Sequence, residues 1–342
     1  MFREFIIDKI VSESTTIKSF YLKRTDHQPL DSYLPGQFVT LRVRPHDTAP
    51  ELVRNYTLSD SPGKPHFRLT IKREEPGIVS QYLHDVLQEG DHVAVSKPMG
   101  GFHLSVNRTS PAVLLSGGVG ITPMLSMLEY MTEHQPDRRI FFLHASLNKA
   151  VQPMLARLRE LTTKEENLYL SIHHSEPTND EQASVDYDYA GLITAAYLRY
   201  VLPKIAMDYY LCGPTGFMET MYGYLRALGV SEQSIYYEFF GEGATLEAQP
   251  AKTEAHPGEI IVKFTRSDIE VAWDDQQPSL LDLAESAGLA PAFSCRMGTC
   301  STCEATLQNG SVAYDPEPFV ETTEGKILIC CSQPMSNLEI AL

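Results

Sequence analysis

The chain has 342 residues, of which 43% are hydrophobic and 21% are charged, and its formal net charge is −16. That length exceeds one typical hydrophobic core and predicts a globular protein of two or three domains. The excess of carboxylates argues against nucleic acid as a partner, because DNA- and RNA-binding proteins need a basic surface.

The same composition bears on membranes and location. No apolar run approaches the roughly 20 residues that span a bilayer, so we expect no membrane association. The N-terminal stretch MFREFIIDKIVSESTT alternates polar and apolar residues. It lacks the basic and apolar regions of a secretory signal, so we expect a cytoplasmic protein. The negative charge would either keep the protein soluble or attract a partner protein with a basic patch.

Residues 1–105 have the pattern of an all-β domain. The short alternating runs FREFIIDKIV, IKSFYLKR, QFVTLRVR and FRLTIKR are separated by turns that contain Pro, Gly and Asp. Strands of this length and spacing predict a β-sandwich or a β-barrel.

Residues 106–240 alternate apolar strands with amphipathic helices. AVLLSGG is an apolar strand that ends in glycines, and ITPMLSMLEYMTEH follows it with helical periodicity. Further strands are predicted in IFFLHAS, LYLSIHHS, DYYLCGP and IYYEFF, and further helices in VQPMLARLREL and FMETMYGYLRALG. This alternation predicts a parallel sheet with covered faces.

The remaining residues divide into a linker and a small domain. Residues 241–259 contain Gly, Ala, Pro and Glu without an apolar period and predict a linker. In residues 260–342 we expect a hairpin in IIVKFTRSDIEVAW and a helix in PSLLDLAESAG that Pro starts and Gly stops. A second hairpin with an Asn-Gly turn in EATLQNGSVAYD and a final strand in KILICCSQP complete this domain.

The loop CRMGTCSTC, residues 295–303, holds three of the six cysteines at the spacing C-x4-C-x2-C. Disulfides are rare in the cytosol, and structural zinc usually takes two C-x2-C pairs where this loop has one. The third chemistry is a [2Fe–2S] cluster, whose plant-type spacing is C-x4-C-x2-C followed by a distant cysteine. Gly298, Ser301 and Thr302 would keep the loop thin, so that backbone N–H groups can reach the cluster sulfurs. The fourth ligand would come from the cysteine pair in ILICCSQP.

This loop and the later ILICCSQP resemble plant-type ferredoxins, which are α+β domains of the β-grasp fold. In that family the last ligand precedes a proline by four positions. The resemblance therefore picks out Cys330 and leaves Cys331 as a neighbour. The cluster ligands that it implies are Cys295, Cys300, Cys303 and Cys330.

The stretch RNYTLSD, residues 54–60, resembles the flavin motif of the ferredoxin–NADP reductase superfamily. The resemblance implies that Arg54 binds a flavin phosphate, Tyr56 lies against the isoalloxazine ring and Thr57 hydrogen-bonds near its N5 atom. The flanking LPGQFVTLRV and LTIKREEPGIVSQYLHDVLQEGDHVAVSKPMGGFHL extend the likeness. Residues 2–240 thus resemble the reductase half of flavohaemoglobins, with an antiparallel Greek-key β-barrel for the flavin. Phe38 and Thr57 stand where that family usually has Tyr and Ser. The implied flavin-binding residues are Phe38, Arg54, Asn55, Tyr56, Thr57, Ile71, Lys72, Gly77, Val79 and Ser80.

The stretch SGGVGITPM, residues 116–124, follows a strand and precedes a helix. Its glycines can bring backbone N–H groups to a pyrophosphate at a helix N-terminus, although a plain strand–helix turn has the same pattern. The likeness to flavohaemoglobins implies that this loop, LCGP at residues 211–214 and YEFFGE at residues 237–242 surround the nicotinamide and the flavin ring. A buried cysteine, a core aromatic and a surface carboxylate are the structural alternatives. The implied binding residues are Gly117, Gly118, Gly120, Thr122, Pro123, Cys212, Gly213, Pro214 and Phe240. The implied catalytic residues are Tyr56, Thr57, Cys212 and Glu238.

Over its whole length the chain resembles reductases that join a flavohaemoglobin-like unit to a C-terminal plant-type ferredoxin. The implied function is electron transfer from NADH through FAD and a [2Fe–2S] cluster to a separate metalloprotein with a basic patch. The expected partner is the terminal component of a Rieske-type oxygenase. The alternatives are hybrid-cluster protein as partner, or a redox sensor that binds the cofactors without turnover.

We expect FAD over FMN because the Gly77–Ser80 turn follows FAD-type members, although FMN-containing relatives exist. We expect NADH over NADPH because HASLNKAVQP offers only Lys149 to a 2′-phosphate.

Overall fold

The chain divides into two compact units, Met1–Phe240 and Gly241–Leu342. Across the ranges that the structure describes, no helix is long and apolar enough to cross a membrane. The predicted linker, residues 241–259, lies outside those ranges. The structure, a computed structural model, describes residues 2–46, 51–75, 77–240, 260–273, 277–293, 296, 298, 301–315, 317–318, 320 and 322–342.

The first sheet of the N-terminal unit is antiparallel, in the strand order β4-β3-β6-β1-β2-β5. Its strands are β1 (Arg3–Ser12), β2 (Ile17–Arg24), β3 (Phe38–Val43), β4 (Leu52–Thr57), β5 (Phe67–Lys72) and β6 (His92–Val95). An isolated bridge between Leu58 and Leu69 links the two edge strands and closes the sheet into a barrel. Alternate residues, such as Phe67, Leu69 and Ile71 on β5, fill the interior.

One helix interrupts this barrel, where the sequence predicts only strands. α1 (Ile78–Asp85) lies between β5 and β6 and buries Val79, Ser80, Leu83 and His84, which recur at helical spacing. The helix has only eight residues, so its period is too short to stand out between strands.

The second sheet of the same unit is entirely parallel, in the order β10-β9-β8-β7-β11-β12. Every residue of the central strands β7 and β11 is buried, as expected for strands covered by helices on both faces. The strands are β7 (Ala112–Gly117), β8 (Ile140–Ser146), β9 (Leu168–His174), β10 (Tyr189–Ala190), β11 (Asp208–Gly213) and β12 (Ile235–Phe239). The helices are α2 (Ile121–His134), α3 (Leu155–Lys164), α4 (Ala195–Val201) and α5 (Thr215–Ala227).

The C-terminal unit is a mixed five-stranded sheet, in the order β14-β13-β19-β15-β17, packed against one helix. Its strands are β13 (Ile261–Phe264), β14 (Ile269–Ala272), β15 (Glu304–Asn309), β16 (Val312–Tyr314), β17 (Lys326–Leu328), β18 (Ser332–Pro334) and β19 (Leu338–Ala341). The helix α6 (Leu280–Ser286) begins after Ser279, whose side chain caps the Asp282 N–H, and not at the preceding proline. The three predicted fold types, a closed antiparallel barrel, a parallel α/β sheet and a β-grasp-like α+β unit, are confirmed.

The predicted hairpin in residues 304–315 is wrong. β15 pairs with β17 and β19, whereas β16 pairs with β18 in a separate two-stranded sheet. Gly310 adopts the expected left-handed turn with φ of +96°, but a Cβ at this position would lie only 2.2 Å from the carbonyl oxygen of Asn337. The turn is therefore packed on the approach to β19, and the chain crosses over instead of folding back on β15.

Candidate functional site

β4 carries the residues that the sequence predicts to bind a flavin. Arg54 and Tyr56 are two residues apart and so share one face of the strand; Arg54 is exposed and Tyr56 is half-buried. Burial raises the pKa of Tyr56, which Arg54 partly offsets, so the phenol stays neutral. Thr57 is buried and lies opposite Phe38 on β3. An exposed guanidinium beside a partly exposed aromatic ring fits a phosphate joined to a flat ring system.

The predicted second phosphate turn is the N-terminus of α1. Gly77 is its N-cap, and a Cβ there would lie 2.5 Å from Ser80 Oγ and 2.9 Å from the carbonyl oxygen of Glu74. Ser80 Oγ donates to the carbonyl of Gly77 at 3.0 Å and accepts from the N–H of Glu74 at 3.1 Å. This close turn requires glycine, and the first N–H groups of a helix favour an anion.

Four other predicted flavin residues are engaged within the protein. Phe38 is buried, and Ile71 belongs to the barrel core. The side-chain oxygen of Asn55 accepts from Thr40 Oγ1 at 2.8 Å. Lys72 forms an ion pair at 2.8 Å with the carboxylate two residues on. Their contact with a flavin stays a prediction.

The glycine loop after β7 packs directly on the loop after β11. A Cβ at Gly120 would lie 2.3 Å from the carbonyl oxygen of Cys212, and one at Gly213 would lie 3.0 Å from the nitrogen of Gly117. These positions need glycine because two backbones touch there. β7 and β11 are neighbours although β8, β9 and β10 come between them in the chain. The two loops thus mark the point where the strand order reverses, which is the usual ligand site of such sheets.

Two helices begin at this same edge. α2 begins at Ile121, and α5 begins directly after its N-cap Pro214. Gly118 has a φ of +54°, and Thr122 Oγ1 donates to the carbonyl of Val119 at 3.1 Å. Pro123 lies in the first turn of α2, where a missing N–H costs no hydrogen bond. Helix N-termini beside a glycine loop fit a pyrophosphate.

Cys212 and Glu238 are paired in register on β11 and β12 at this edge. Cys212 is fully buried, and burial together with the Glu238 carboxyl raises the pKa of its thiol. Burial also raises the pKa of Glu238 to about 8. Its Oε2 atom is shielded from solvent and has no hydrogen-bond partner within the described ranges. Phe240, just beyond β12, is 37% exposed. Glu238 as a whole is half-buried, and its raised pKa lets the carboxyl hold a proton near neutral pH.

Buried imidazoles lie on the neighbouring strands β8 and β9, where the sequence predicts structural residues only. His144 Nδ1 lies 2.7 Å from Ser116 Oγ, and His174 Nδ1 contacts Glu181 Oε2. The Nε2 atom of each ring is buried without a partner in the part of the chain that the structure describes. Burial, and then the neighbouring histidines, lower the pKa of His144 to about 3, so this ring is neutral. His144 lies two residues before the end of β8 and His174 is the last residue of β9, and the sequence around them shows no ligand spacing.

The cysteine loop is described in part. Cys295 and Cys300 lie outside the described residues, whereas Cys303 and Cys330 are buried. The N–H of Gly298 donates to Cys330 Sγ at 3.3 Å, and Gly298 has a φ of +66°. Buried thiols with a backbone N–H directed at sulfur suit an iron–sulfur cluster, whose sulfurs accept such bonds.

Cys330 and Cys331 do not lie on an extended strand, which corrects the sequence prediction. Residues Ile329–Cys331 form a 3₁₀ turn between β17 and β18. Successive side chains in such a turn point about 120° apart and not to opposite faces. Both sulfurs therefore lie near Gly298, where a Cβ would be 2.8 Å from Cys331 Sγ. Cys331 is fully buried, and its thiol contacts the carbonyl of Leu328 at 3.6 Å.

Three family models match the chain in succession. An oxidoreductase FAD-binding domain model matches residues 4–104, an oxidoreductase NAD-binding domain model matches residues 114–222, and a 2Fe-2S iron-sulfur cluster binding domain model matches residues 262–335. The chain is also 32% identical to the solved flavohem-like FAD/NAD-binding domain of nitric oxide dioxygenase from Vibrio cholerae O1 biovar El Tor, with a TM-score of 0.64. That match covers 70% of this chain and 98% of the other.

This chain belongs to the ferredoxin–NADP reductase superfamily. It contains oxidoreductase FAD-binding and NAD-binding domains and a 2Fe-2S cluster-binding domain. The family, fold class and cofactors that the sequence predicts are confirmed.

Two curated flavohemoproteins are similar to part of this chain. The flavohemoprotein of Bacillus cereus (strain ATCC 10987 / NRS 248) is 40% identical over 251 residues, which are 72% of this chain and 62% of that protein. The flavohemoprotein of Bacillus subtilis (strain 168) is 38% identical over 245 residues, 72% of this chain and 61% of that protein. The chain thus spans less than two thirds of these relatives.

Some solved structures match the chain over its full length. The match to phthalate dioxygenase reductase covers 100% of this chain and 98% of that protein's chain, at 23% identity and a TM-score of 0.60. This likeness shows a shared fold.

Proposed function

We propose that the protein is an NADH-dependent reductase that passes electrons through FAD and a [2Fe–2S] cluster to a separate metalloprotein. The observation that carries this proposal is the succession of FAD-binding, NAD-binding and 2Fe-2S cluster-binding domains in one chain. A nicotinamide gives two electrons as hydride and a cluster accepts one at a time, and the flavin supplies the exchange between the two.

Different residues of this chain would bind the cofactor phosphates, the flavin ring and the cluster. Arg54 and the Gly77–Ser80 turn would hold flavin phosphates, and Tyr56 and Thr57 would lie at the ring. The Gly117–Gly120 loop would hold the nucleotide pyrophosphate. Mass spectrometry of heat-released flavin tests the FAD assignment, and FMN alone would contradict it. The proposed cluster ligands are Cys295, Cys300, Cys303 and Cys330.

Cys212 and Glu238 would lie beside the nicotinamide carbon that gives up the hydride. With its pKa near 8, Glu238 is protonated and neutral at pH 7. A neutral carboxyl and a neutral thiol exclude water without placing a fixed negative charge beside a departing hydride. The proposed role of the pair is therefore to shape and dry the hydride-transfer site.

The charges beyond β8 and β9 favour NADH over NADPH. Lys149 Nζ is paired with Asp186 Oδ1 at 2.9 Å. Burial opposes ionisation of Glu181, but hydrogen bonds from the Lys149 N–H and from His174 bring its pKa to about 2. A 2′-phosphate would meet one exposed cation whose charge is already paired with a carboxylate. The kcat/KM values for both nucleotides test this proposal, and a clear preference for NADPH would overturn it.

An acidic segment beside the cluster supports a basic partner. The N–H of Asp315 donates to the carbonyl of Cys331 at 2.8 Å, and Asp315, Glu317 and Glu324 are exposed. Lys326, the nearest cation along the chain, is paired with Glu304 at 2.9 Å.

We propose the terminal component of a Rieske-type oxygenase as partner, with hybrid-cluster protein as the alternative, and a cytoplasmic location. Added salt should slow reduction of the basic probe cytochrome c more than reduction of ferricyanide; equal effects would contradict this docking surface.

Steady-state turnover separates a reductase from a redox sensor. The purified protein should oxidise NADH continuously when ferricyanide or cytochrome c is supplied. A single stoichiometric oxidation of NADH, followed by no turnover with either acceptor, would support the sensor and contradict the proposal.

A further inference from the structure

α2 connects the proposed nucleotide loop to the flavin-binding barrel. Its N-terminus follows the Gly117–Gly120 loop, and one side of the helix contacts the barrel segment between β4 and β5. Ser126 Oγ donates to the carbonyl of Asp60 at 2.6 Å, and Ser61 Oγ donates to Glu133 Oε2 at 2.9 Å. The position of the loop relative to the barrel therefore depends on the position of α2 against the barrel.

A buried ion pair lies in the middle of this contact. Arg68 Nη2 on β5 lies 3.1 Å from Glu129 Oε2 on α2, and the two side chains are 8% and 3% exposed. The second oxygen of Glu129 accepts from Arg157 Nε on α3 at 2.8 Å. Arg68 is itself held by Ser59, whose Oγ accepts from its Nε at 3.2 Å. Burial raises the pKa of Glu129 and Arg68 opposes that rise.

A pair buried this deeply adds little stability over apolar side chains of the same size, because both charges lose their hydration. Its contribution is that it allows only one position of α2 against the barrel. Sliding or rotating α2 by one position would separate Glu129 from both guanidinium groups and leave charges buried without partners. The pair is thus suited to fixing a position rather than to strengthening the fold.

We propose that the Arg68–Glu129 pair is a positioning element for hydride transfer. It fixes α2, and with it the nucleotide loop, against β5, the strand that ends at the predicted flavin residues Ile71 and Lys72. This inference rests on the proposed transfer of hydride from NADH to flavin. A displacement of about 1 Å between reacting atoms is enough to slow a reaction about 100-fold, so small errors in the seating of α2 should be visible in the rate.

The test compares three variants and two controls of the full chain. Glu129→Gln removes one charge and leaves Arg68 buried. Arg68→Met combined with Glu129→Met removes both charges of the pair. Asp60, which lies 4.0 Å from Arg68, keeps its contact with His66, and Arg157 keeps its contact with Glu160. Glu133→Gln on the same helix removes the half-exposed charge pair with Lys64 and keeps a side-chain oxygen that can accept from Ser61 Oγ. Arg157→Gln removes the other guanidinium while the Arg68 contact remains. Arg68→Lys keeps the charge but not the planar fork.

Stopped-flow reduction of the flavin by NADH, with deuterated NADH in parallel, gives the hydride-transfer rate. We expect Glu129→Gln to lower this rate about 10- to 100-fold at normal flavin content, with a full primary isotope effect. Both controls should stay within about twofold of the wild type, and Arg68→Lys should fall in between. The double variant should regain thermal stability but stay slow, because apolar side chains do not fix one position.

A second readout needs no bound cofactor. In the flavin-free full-length chain, amide hydrogen exchange in residues 59–68 and 121–134 should be faster in Glu129→Gln than in the wild type or Glu133→Gln. If NADH fails to reduce wild-type flavin, the proposed function is wrong. If it does reduce it, three results would refute the positioning role: a wild-type rate in Glu129→Gln, unchanged exchange in these segments, or recovery of rate together with stability in the double variant.

Discussion

Gly298→Ala should weaken the cysteine loop for two separate reasons. Gly298 has a φ of +66°, where an L-residue costs about 1–2 kcal/mol. The new Cβ would also lie 2.8 Å from Cys331 Sγ and 3.0 Å from Pro318 Cα, and overpacking of this kind costs about 1–3 kcal/mol. Together these effects reach about 2–5 kcal/mol, a large share of the stability of a small domain. Because the Gly298 N–H donates to Cys330 Sγ, the strain falls on a predicted cluster ligand.

Gly325→Ala is the matched control for this substitution. It lies in the same unit, its φ is +78°, and no described atom would lie within 4 Å of its Cβ. The assay measures iron and acid-labile sulfide per chain, and the denaturant midpoint at which cluster absorbance is lost. Gly325→Ala should keep its iron, while Gly298→Ala should lose iron and shift the midpoint about twice as far or more. Equal iron contents and midpoints in the two variants would refute the close packing of Gly298 against the cysteine turn.

Three further substitutions test the other predicted groups. Arg54→Ala should purify with little flavin but an intact cluster, whereas Arg44→Ala, at another exposed arginine, should keep its flavin; normal flavin content in the Arg54 variant would contradict the phosphate assignment. Cys330→Ser should lose iron or bind it poorly while Cys331→Ser keeps it. Both should still reduce ferricyanide, and only the Cys330 variant should fail with cytochrome c; iron loss confined to Cys331→Ser would move the ligand by one residue. Glu238→Gln tests the raised pKa of about 8. Between about pH 5 and 8 the unfolded carboxyl has lost its proton while the folded one keeps it, so the wild type loses stability relative to the Gln variant as pH rises through this window. Denaturation of both proteins at several pH values measures this difference, and a difference that does not change with pH would show an ordinary carboxyl.

The elements that the sequence predicts well are those with strong local signals. β7 and β11 are mostly apolar and end in glycine, and α2 has a full helical period, so their positions follow from pattern alone. α3 begins later than predicted, at Leu155, because Pro153 disfavours helical geometry at Gln152 and the N-cap Met154 has a left-handed φ of +59°. The hairpin after β15 fails for a different reason. Its turn signal at Asn309 and Gly310 is correct, but the choice of pairing partner depends on strands that are distant in sequence.

The candidate site also combines features that the sequence predicts with features that only the fold shows. Motifs predict glycine at Gly120 and Gly213, but the reason for it, contact between two loop backbones, is visible only in the fold. Arg68 and Glu129 are 61 residues apart, and neither has a local pattern that distinguishes it from a surface charge. The 3₁₀ turn at Cys330 could not be predicted from its apolar neighbours, because those residues equally favour an extended strand.

The order of electron transfer can be tested directly by anaerobic reduction of the cluster, followed by electron paramagnetic resonance. NADH should produce the signal of a reduced [2Fe–2S] cluster in the wild-type protein. In flavin-free Arg54→Ala, NADH should produce no such signal, although dithionite should reduce the same cluster. A cluster that NADH reduces equally fast without flavin, or one that NADH cannot reduce in the wild type, would contradict the path from nucleotide through flavin to cluster.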